Sequence, residues 1–281
     1  MPPRHVTLAI VAFWLAMSGW LFYRDLWPRL RPGDPPPYVI DLVDEARFRE
    51  SRNHWVVLEN GKDIGYANTW VDYRQSDDTF RLNGEFKIRT PDGRGDPRVE
   101  VQSWYRVTRT GELREIDAQV KMRPGFAGLS FPVEGSVNGQ VRDGKLVLRC
   151  RIPLFSVDKE LDPVSVAERG SVLTTMQPLN RIHGLRAGQH WQIALFDPAS
   201  AILPTANPKP RILSAEVVTG DLEIPPARPD FPALVIPCFV INYEGTDSRA
   251  RTWVRQSDST VLQQEASFGN EQLTLRRDLE R

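Results

Sequence analysis

The chain has 281 residues, 41% hydrophobic and 26% charged, an ordinary globular mixture. Its 36 basic residues balance 36 acidic ones, so no overall field recruits nucleic acid. Two cysteines without a C-x-x-C spacing exclude a redox or zinc-knuckle framework.

The first element is apolar. Val6 to Tyr23 carries no charge, and as a helix it spans roughly 27 Å, close to the hydrocarbon thickness of a bilayer. Trp20, Tyr23 and Trp27 lie where amphipathic rings favour headgroups. Residues 1–28 are therefore expected to be a membrane anchor, with a cleaved signal peptide ending near Ala16-Met17-Ser18 as the alternative. The uncleaved anchor is preferred because Trp20-Leu21-Phe22 extends the apolar run past that point. Arg24, Arg29 and Arg31 would favour a cytoplasmic C-terminal part. The opposite, extracytoplasmic side is nevertheless expected, because β-rich domains behind a signal-like start are more often exported. Residues 29–50 follow as a tether, since four prolines between Pro32 and Pro37 hold an extended chain.

From residue 51 to 281 the period becomes two. Phe80, Leu82, Phe86 and Ile88 alternate with polar neighbours, as do Ile116, Ala118, Val120 and Met122, and Leu146, Leu148, Cys150 and Ile152. That is the pattern of antiparallel strands with one wet face. Turn signals at Asn60-Gly61, Asp92-Gly93, Thr110-Gly111, Asn138-Gly139 and Asp143-Gly144 divide residues 54 to 152 into about seven strands. Val164 to Met176 reads as one short helix stopped by Pro178. A strand at 190–198, a proline-rich lid at 198–210, strands at Arg211–Thr219 and Ala233–Tyr243, and a final meander turning near Ser257-Asp258 and Gly269-Asn270 complete the chain. The cysteines read as two buried thiols, with a disulfide as the alternative.

About a dozen strands with so little helix must cover their own apolar faces. The expected fold is mainly β: a large curved antiparallel sheet, half-barrel or barrel-like, with one short helix. Such a curve leaves an apolar interior suited to a hydrophobic ligand. HWVVLENGKDIGYANTWVDYR and RTWVRQSDSTVLQQEASFG resemble the opening and closing hairpins of bacterial envelope domains related to the lipoprotein carriers of the Lol system. The resemblance implies a curved half-barrel with an apolar interior. A permanent anchor departs from those soluble carriers and favours a fixed acceptor over a shuttle.

Catalytic motifs are sought in vain. GQVRDGKL places Leu146 where a phosphate loop needs Ser or Thr, and it sits on a hairpin. No HExxH or G-x-S-x-G occurs, and Arg94-Gly95-Asp96 reads as turn chemistry. No cofactor, metal or catalytic residue is assigned. His183, His190 and Cys150 would serve an enzyme, or the accessory domain of one, assembled from distant residues. The expected function is non-enzymatic: binding of a lipid, a lipoprotein or another hydrophobic ligand, with a structural protein-interaction module as the alternative. The expected contacts are Phe126, Leu129, Phe131, Trp191, Phe231 and Phe239, taken from the apolar runs GFAGLSFPV, HWQIALF and PDFPALVIPCFVI. The expected membrane contact is residues 6–23, and no nucleic acid partner is expected.

Overall fold

The computed structural model describes residues 4–22, 52–89, 97–109, 112–123, 132–165, 180–195, 211–225, 232–245, 248–268 and 271–279. A helix, α1, covers Arg4–Leu21 and leaves Phe13, Trp14 and Trp20 exposed. Arg4 and His5 take up its first two positions. Among the described residues no helix is long and apolar enough to cross a membrane.

Fifteen strands follow: β1 (Asn53–Glu59), β2 (Lys62–Arg74), β3 (Thr79–Ile88), β4 (Val99–Thr108), β5 (Leu113–Met122), β6 (Val133–Arg142), β7 (Lys145–Ile152), β8 (Val157–Glu160), β9 (Val164–Ser165), β10 (His190–Leu195), β11 (Arg211–Ile224), β12 (Leu234–Glu244), β13 (Ser248–Arg255), β14 (Val261–Phe268) and β15 (Glu271–Arg277). Fourteen form one antiparallel path in the order β10 to β15, then β1 to β8; β9 pairs with β7 beside β8. Two meanders are therefore joined by a single long-range pairing, β1 against β15, with Trp55 opposite Arg277 and Glu59 opposite Leu273. The path does not close on itself, so the sheet is curved and open rather than a complete barrel.

The turns explain the register. Asn60 and Gly61 have φ of 48° and 82°, and Asp143 and Gly144 have 49° and 71°. Both pairs supply the two positive φ values of a tight hairpin whose twist matches its strands. Asn138-Gly139 does not turn: it lies inside β6, where Gly139 faces Leu148 and Ile116. The glycine answers to packing there, not to chain reversal. The expected helix is also corrected at its start, because Val164–Ser165 is strand β9; residues 166–179 lie outside the described residues. So do the tether, the lid at 198–210, and the turn signals at Asp92-Gly93, Thr110-Gly111 and Gly269-Asn270.

One face of the sheet carries the two larger apolar clusters and forms the interior, while the opposite face of β11 to β14 buries a third, smaller one. In the first cluster Trp55, Val57 and Ala67 join Trp191, Leu213, Val217, Ile241, Val254, Val261 and Leu275. In the second, Phe80, Leu82, Tyr105, Ile116, Val137, Leu146, Leu148 and Cys150 pack together. No helical layer covers these residues among the described ones, so the sheet curves over itself and the apolar face is the inside of the curve. A non-helical segment completes the cover. Ile182 N–H donates to Ser259 O at 2.9 Å and Val261 N–H to Asn180 O at 2.9 Å, which brings Ile182 and Leu185 into the first cluster. Residues 180–189 thus plug this part of the inner face, and the helix expected at Val164–Met176 lies, beyond Ser165, outside the described residues. Both cysteines are free and buried: Cys150 lies in the second cluster, Cys238 in a third with Leu222, Ile236 and Leu262. They form no disulfide.

Candidate functional site

The strand registers decide what the inside of the curve presents. Across β2 to β7 they align inward residues into rows that cross the strands. Two upper rows are filled core: Tyr73, Phe80 and Val107 in one, and Val71, Leu82, Tyr105, Ile116, Gly139 and Leu148 in the next. The following row has short side chains from β2 to β5, namely Thr69, Gly84, Ser103 and Ala118, and continues into the core residues Val137 and Cys150. Beyond it lie Ala67, Phe86, Val101, Val120 and Gly135, and then Gly65, Ile88, Val99, Met122 and Val133.

Burial differs between the rows on β3 to β6, although Val71 and Tyr73 in the upper rows are half-buried and Gly65, Ala67 and Gly135 in the lower ones are buried. Phe80, Leu82, Tyr105 and Ile116 are buried, as are Gly84 and Ala118. Phe86, Ile88, Val99, Val101, Val120, Met122 and Val133 are only half-buried. The inner face is therefore core at one end of the strands and, at the other, a half-covered apolar stretch, called the trough below. Small residues form its floor, and apolar side chains that retain solvent contact line it. The floor is well fixed: Trp55 Nε1–H donates to Thr69 Oγ1 at 3.0 Å, both groups buried.

The expected contacts distribute as follows. Trp191, on β10, is 7% exposed and belongs to the first cluster; Phe239, on β12, is half-buried against the same cluster. The structure brings these two to one region of the inner face. Among the described residues, the buried Trp191 Nε1–H has no hydrogen-bond partner, and an indole donor at such depth ordinarily finds an acceptor. Phe126, Leu129, Phe131 and Phe231 lie outside the described residues. Sequence reasoning missed the half-buried row of Phe86, Val101 and Val120, which becomes visible only when the pairing of four strands is known.

The residues considered for catalysis do not converge. Cys150 is buried on β7, and burial pushes its thiol up from the ordinary value. Burial raises Cys238 further, to about 11, so both thiols stay protonated at neutral pH. His183 is exposed on the plug segment, and His190 is exposed on β10, at the opposite end of the strand path from β7. Among the described residues no group of His, Cys, Asp and Glu is arranged to hold a metal ion.

Across β1 to β4 the outer face is polar and internally paired, whereas across β11 to β14 it buries the third cluster of Leu222, Ile236, Cys238 and Leu262. His54 Nδ1 lies 2.7 Å from Asn68 Oδ1, Asn68 Nδ2–H donates to Glu85 at 3.3 Å, and Lys87 bridges Glu85 at 2.7 Å and Glu100 at 3.4 Å. Arg81 stacks over Trp104 at 4.3 Å and Arg52 over Trp70 at 4.8 Å. Such exposed pairs contribute little stability individually. No known protein family, no curated relative and no solved structure matches the chain.

Proposed function

We propose that this protein is a non-enzymatic envelope protein that is held at the membrane by its N-terminal apolar segment and accommodates the acyl part of a lipid or lipoprotein in the trough of its curved sheet. The supporting observation is the half-buried lining of Phe86, Ile88, Val99, Val101, Val120, Met122 and Val133 beside the small floor of Gly84, Ser103 and Ala118. Burying such a side chain from full exposure contributes about 1.5–3 kcal/mol; these are already partly covered, so each has only a fraction left to gain, and covering several together still favours an acyl chain. The unpartnered Trp191 N–H suits a carbonyl or carboxylate oxygen of an amphiphile. Membrane attachment is supported by the uncharged run from Val6 to Tyr23 and by the exposed Phe13, Trp14 and Trp20 of α1. Placement of the β domain outside the cytoplasm rests on that signal-like start and on the Lol-type resemblance.

The test is mass spectrometry of lipid retained by the full chain after mild detergent purification, compared with a Val101→Lys/Val120→Glu variant, whose opposite charges face each other across β4 and β5. These side chains are already half-solvated, so the charges are expected to leave the unfolding midpoint nearly unchanged while retained lipid falls at least about tenfold, the loss of ~1.4 kcal/mol of binding. Native protein that retains no lipid and takes up none when it is added would overturn the assignment.

A further inference from the structure

Among the described residues, two buried side-chain polar atoms of the inner face meet no hydrogen-bond partner, and both belong to the β10–β15 meander: Trp191 Nε1 and Gln264 Oε1. Trp191 is 7% exposed, belongs to the first cluster and stands opposite Ala215. Gln264 stands opposite the buried Thr252, in the inner row that holds Ile241 and Val217, and its Nε2–H reaches Thr252 Oγ1 at 3.4 Å. The lining of the trough, by contrast, is hydrocarbon apart from the Met122 sulfur. The two regions meet, because Phe86, which lines the trough, packs against the first cluster, as do the half-buried Phe239 and Tyr243. One half of the inner face thus offers unspent hydrogen-bonding capacity and the other offers uncovered apolar surface.

The Trp191 donor decides what can fill that half. An indole N–H donates and does not accept, so the partner it lacks is an acceptor such as oxygen. A buried water needs about two to four polar partners. The cross-strand neighbours of Trp191 are Ala215, with Leu213 and Val217 on either side, and all three are buried hydrocarbon. They hold a water poorly. A carbonyl oxygen carried by an acyl chain is satisfied by the one donor, and its hydrocarbon suits the apolar neighbours.

We infer that Trp191 anchors an acyl carbonyl: its Nε1–H donates to the oxygen at the head of an acyl chain, whose hydrocarbon runs over the first cluster towards Phe86 and the trough. This names the group that the lipid site recognises, and it rests on the lipid-binding assignment. The experiment uses the full chain in mild detergent, labelled with nitrogen-15 at its eight tryptophans. The Trp191 indole signal is identified by its absence from Trp191→Phe. The probes are palmitic acid, methyl palmitate and n-hexadecane, which share a chain and differ in the oxygen. The expected result is a downfield shift of the Trp191 N–H with methyl palmitate, palmitic acid or both, and none with hexadecane. A response to the acid alone identifies a free carboxyl as the ligand's head, and a response to the ester identifies an acyl linkage. Trp191→Phe removes no hydrogen bond within the protein. It is expected to weaken the oxygenated probes about tenfold and to leave hexadecane binding unchanged. Oxygenated probes that bind without moving the N–H signal, or equal weakening of all three by Trp191→Phe, would overturn the anchor. The native protein supplies the first of these readouts even if the variant does not fold. The two readings fail separately. Bound probes with an unmoved Trp191 signal sink the anchor alone, and a shifted signal with binding indifferent to Val101→Lys/Val120→Glu sinks the trough alone.

Discussion

Two glycines show how single residues set the curve. A Cβ at Gly65 would lie 2.1 Å from the Lys87 carbonyl oxygen on the neighbouring strand β3. A Cβ at Gly139 would lie 2.6 Å from Leu148 Cδ2 and 2.7 Å from Ile116 Cγ2, side chains that are themselves wholly buried. Backbone cannot yield as a methyl can. Gly139→Ala is expected to cost about 1–3 kcal/mol as an overpacked core, and Gly65→Ala more, in urea unfolding. Equal costs would show that β3 shifts to make room. Asp258 gives a second test at this scale. Burial alone would push its carboxyl up. Bonds from Arg255 at 2.9 and 2.7 Å and from Thr260 N–H at 3.1 Å outweigh burial and hold it at about 2. A carboxyl depressed in the folded state stabilises above its unfolded value, near 4, and that contribution vanishes as pH falls towards 2. The stability gap between the native protein and Asp258→Asn is expected to be constant near neutrality and to shrink between about pH 4 and pH 2. A gap that persists at the acid end would mean that the turn depends on shape rather than charge.

The elements show which parts of this fold a sequence discloses. Strands β1 to β7 are legible because each buries one face, which imposes a period of two on residues such as Leu146, Leu148 and Cys150. The two Asn-Gly pairs look alike, yet only Asn60-Gly61 turns. Asp143-Gly144 follows Asn138-Gly139 too closely to leave room for a strand between two hairpins, and that spacing was the available signal. The trough was not legible, because its floor takes Gly84, Ser103 and Ala118 from three strands whose alignment depends on registers and on a bulge between Arg106 and Val107. The anchoring of the plug was equally hidden. Arg277, on β15, donates from Nη2 to Asn53 Oδ1 and from Nη1 to Asn180 Oδ1, each at 2.6 Å, and stacks over Trp55 at 5.7 Å. It ties β15, β1 and the plug across 224 and 97 residues of sequence. Arg277→Ala is expected to cost about 2 kcal/mol and to release the plug locally. Hydrogen exchange would then accelerate at the Ile182 and Val261 amides well before the β3 and β4 amides. Uniform acceleration would instead assign Arg277 to global stability.

At the scale of the whole molecule, one pairing turns two meanders into a single sheet. All other strand neighbours, apart from the short β9, lie next to each other in sequence; β1 and β15 lie at opposite ends of the domain. Asp278 N–H donates to His54 O at 2.9 Å, so the domain begins and ends at one place, and the N-terminal segment leaves from the middle of the sheet rather than from an edge. A chain of this topology should tolerate circular permutation. Joining Asp278 to Asn53 through a short Gly-Ser linker makes β15–β1 a local hairpin, and opening the exposed Asp143-Gly144 turn transfers the long-range closure to β6–β7. Among the described residues no buried group is removed, because both sites are at strand ends. The permutant lacking residues 1–52 is expected to show the native far-UV circular dichroism and to unfold in urea within about 2 kcal/mol of the parent domain, since a change of loop length alters closure entropy only slowly. It would also establish that residues 53–278 fold without the N-terminal segment. A permutant that fails to fold while the unpermuted domain 53–278 succeeds would show that the β6–β7 hairpin must form early, as the local contact on which the second cluster of Ile116, Val137, Leu146 and Leu148 assembles.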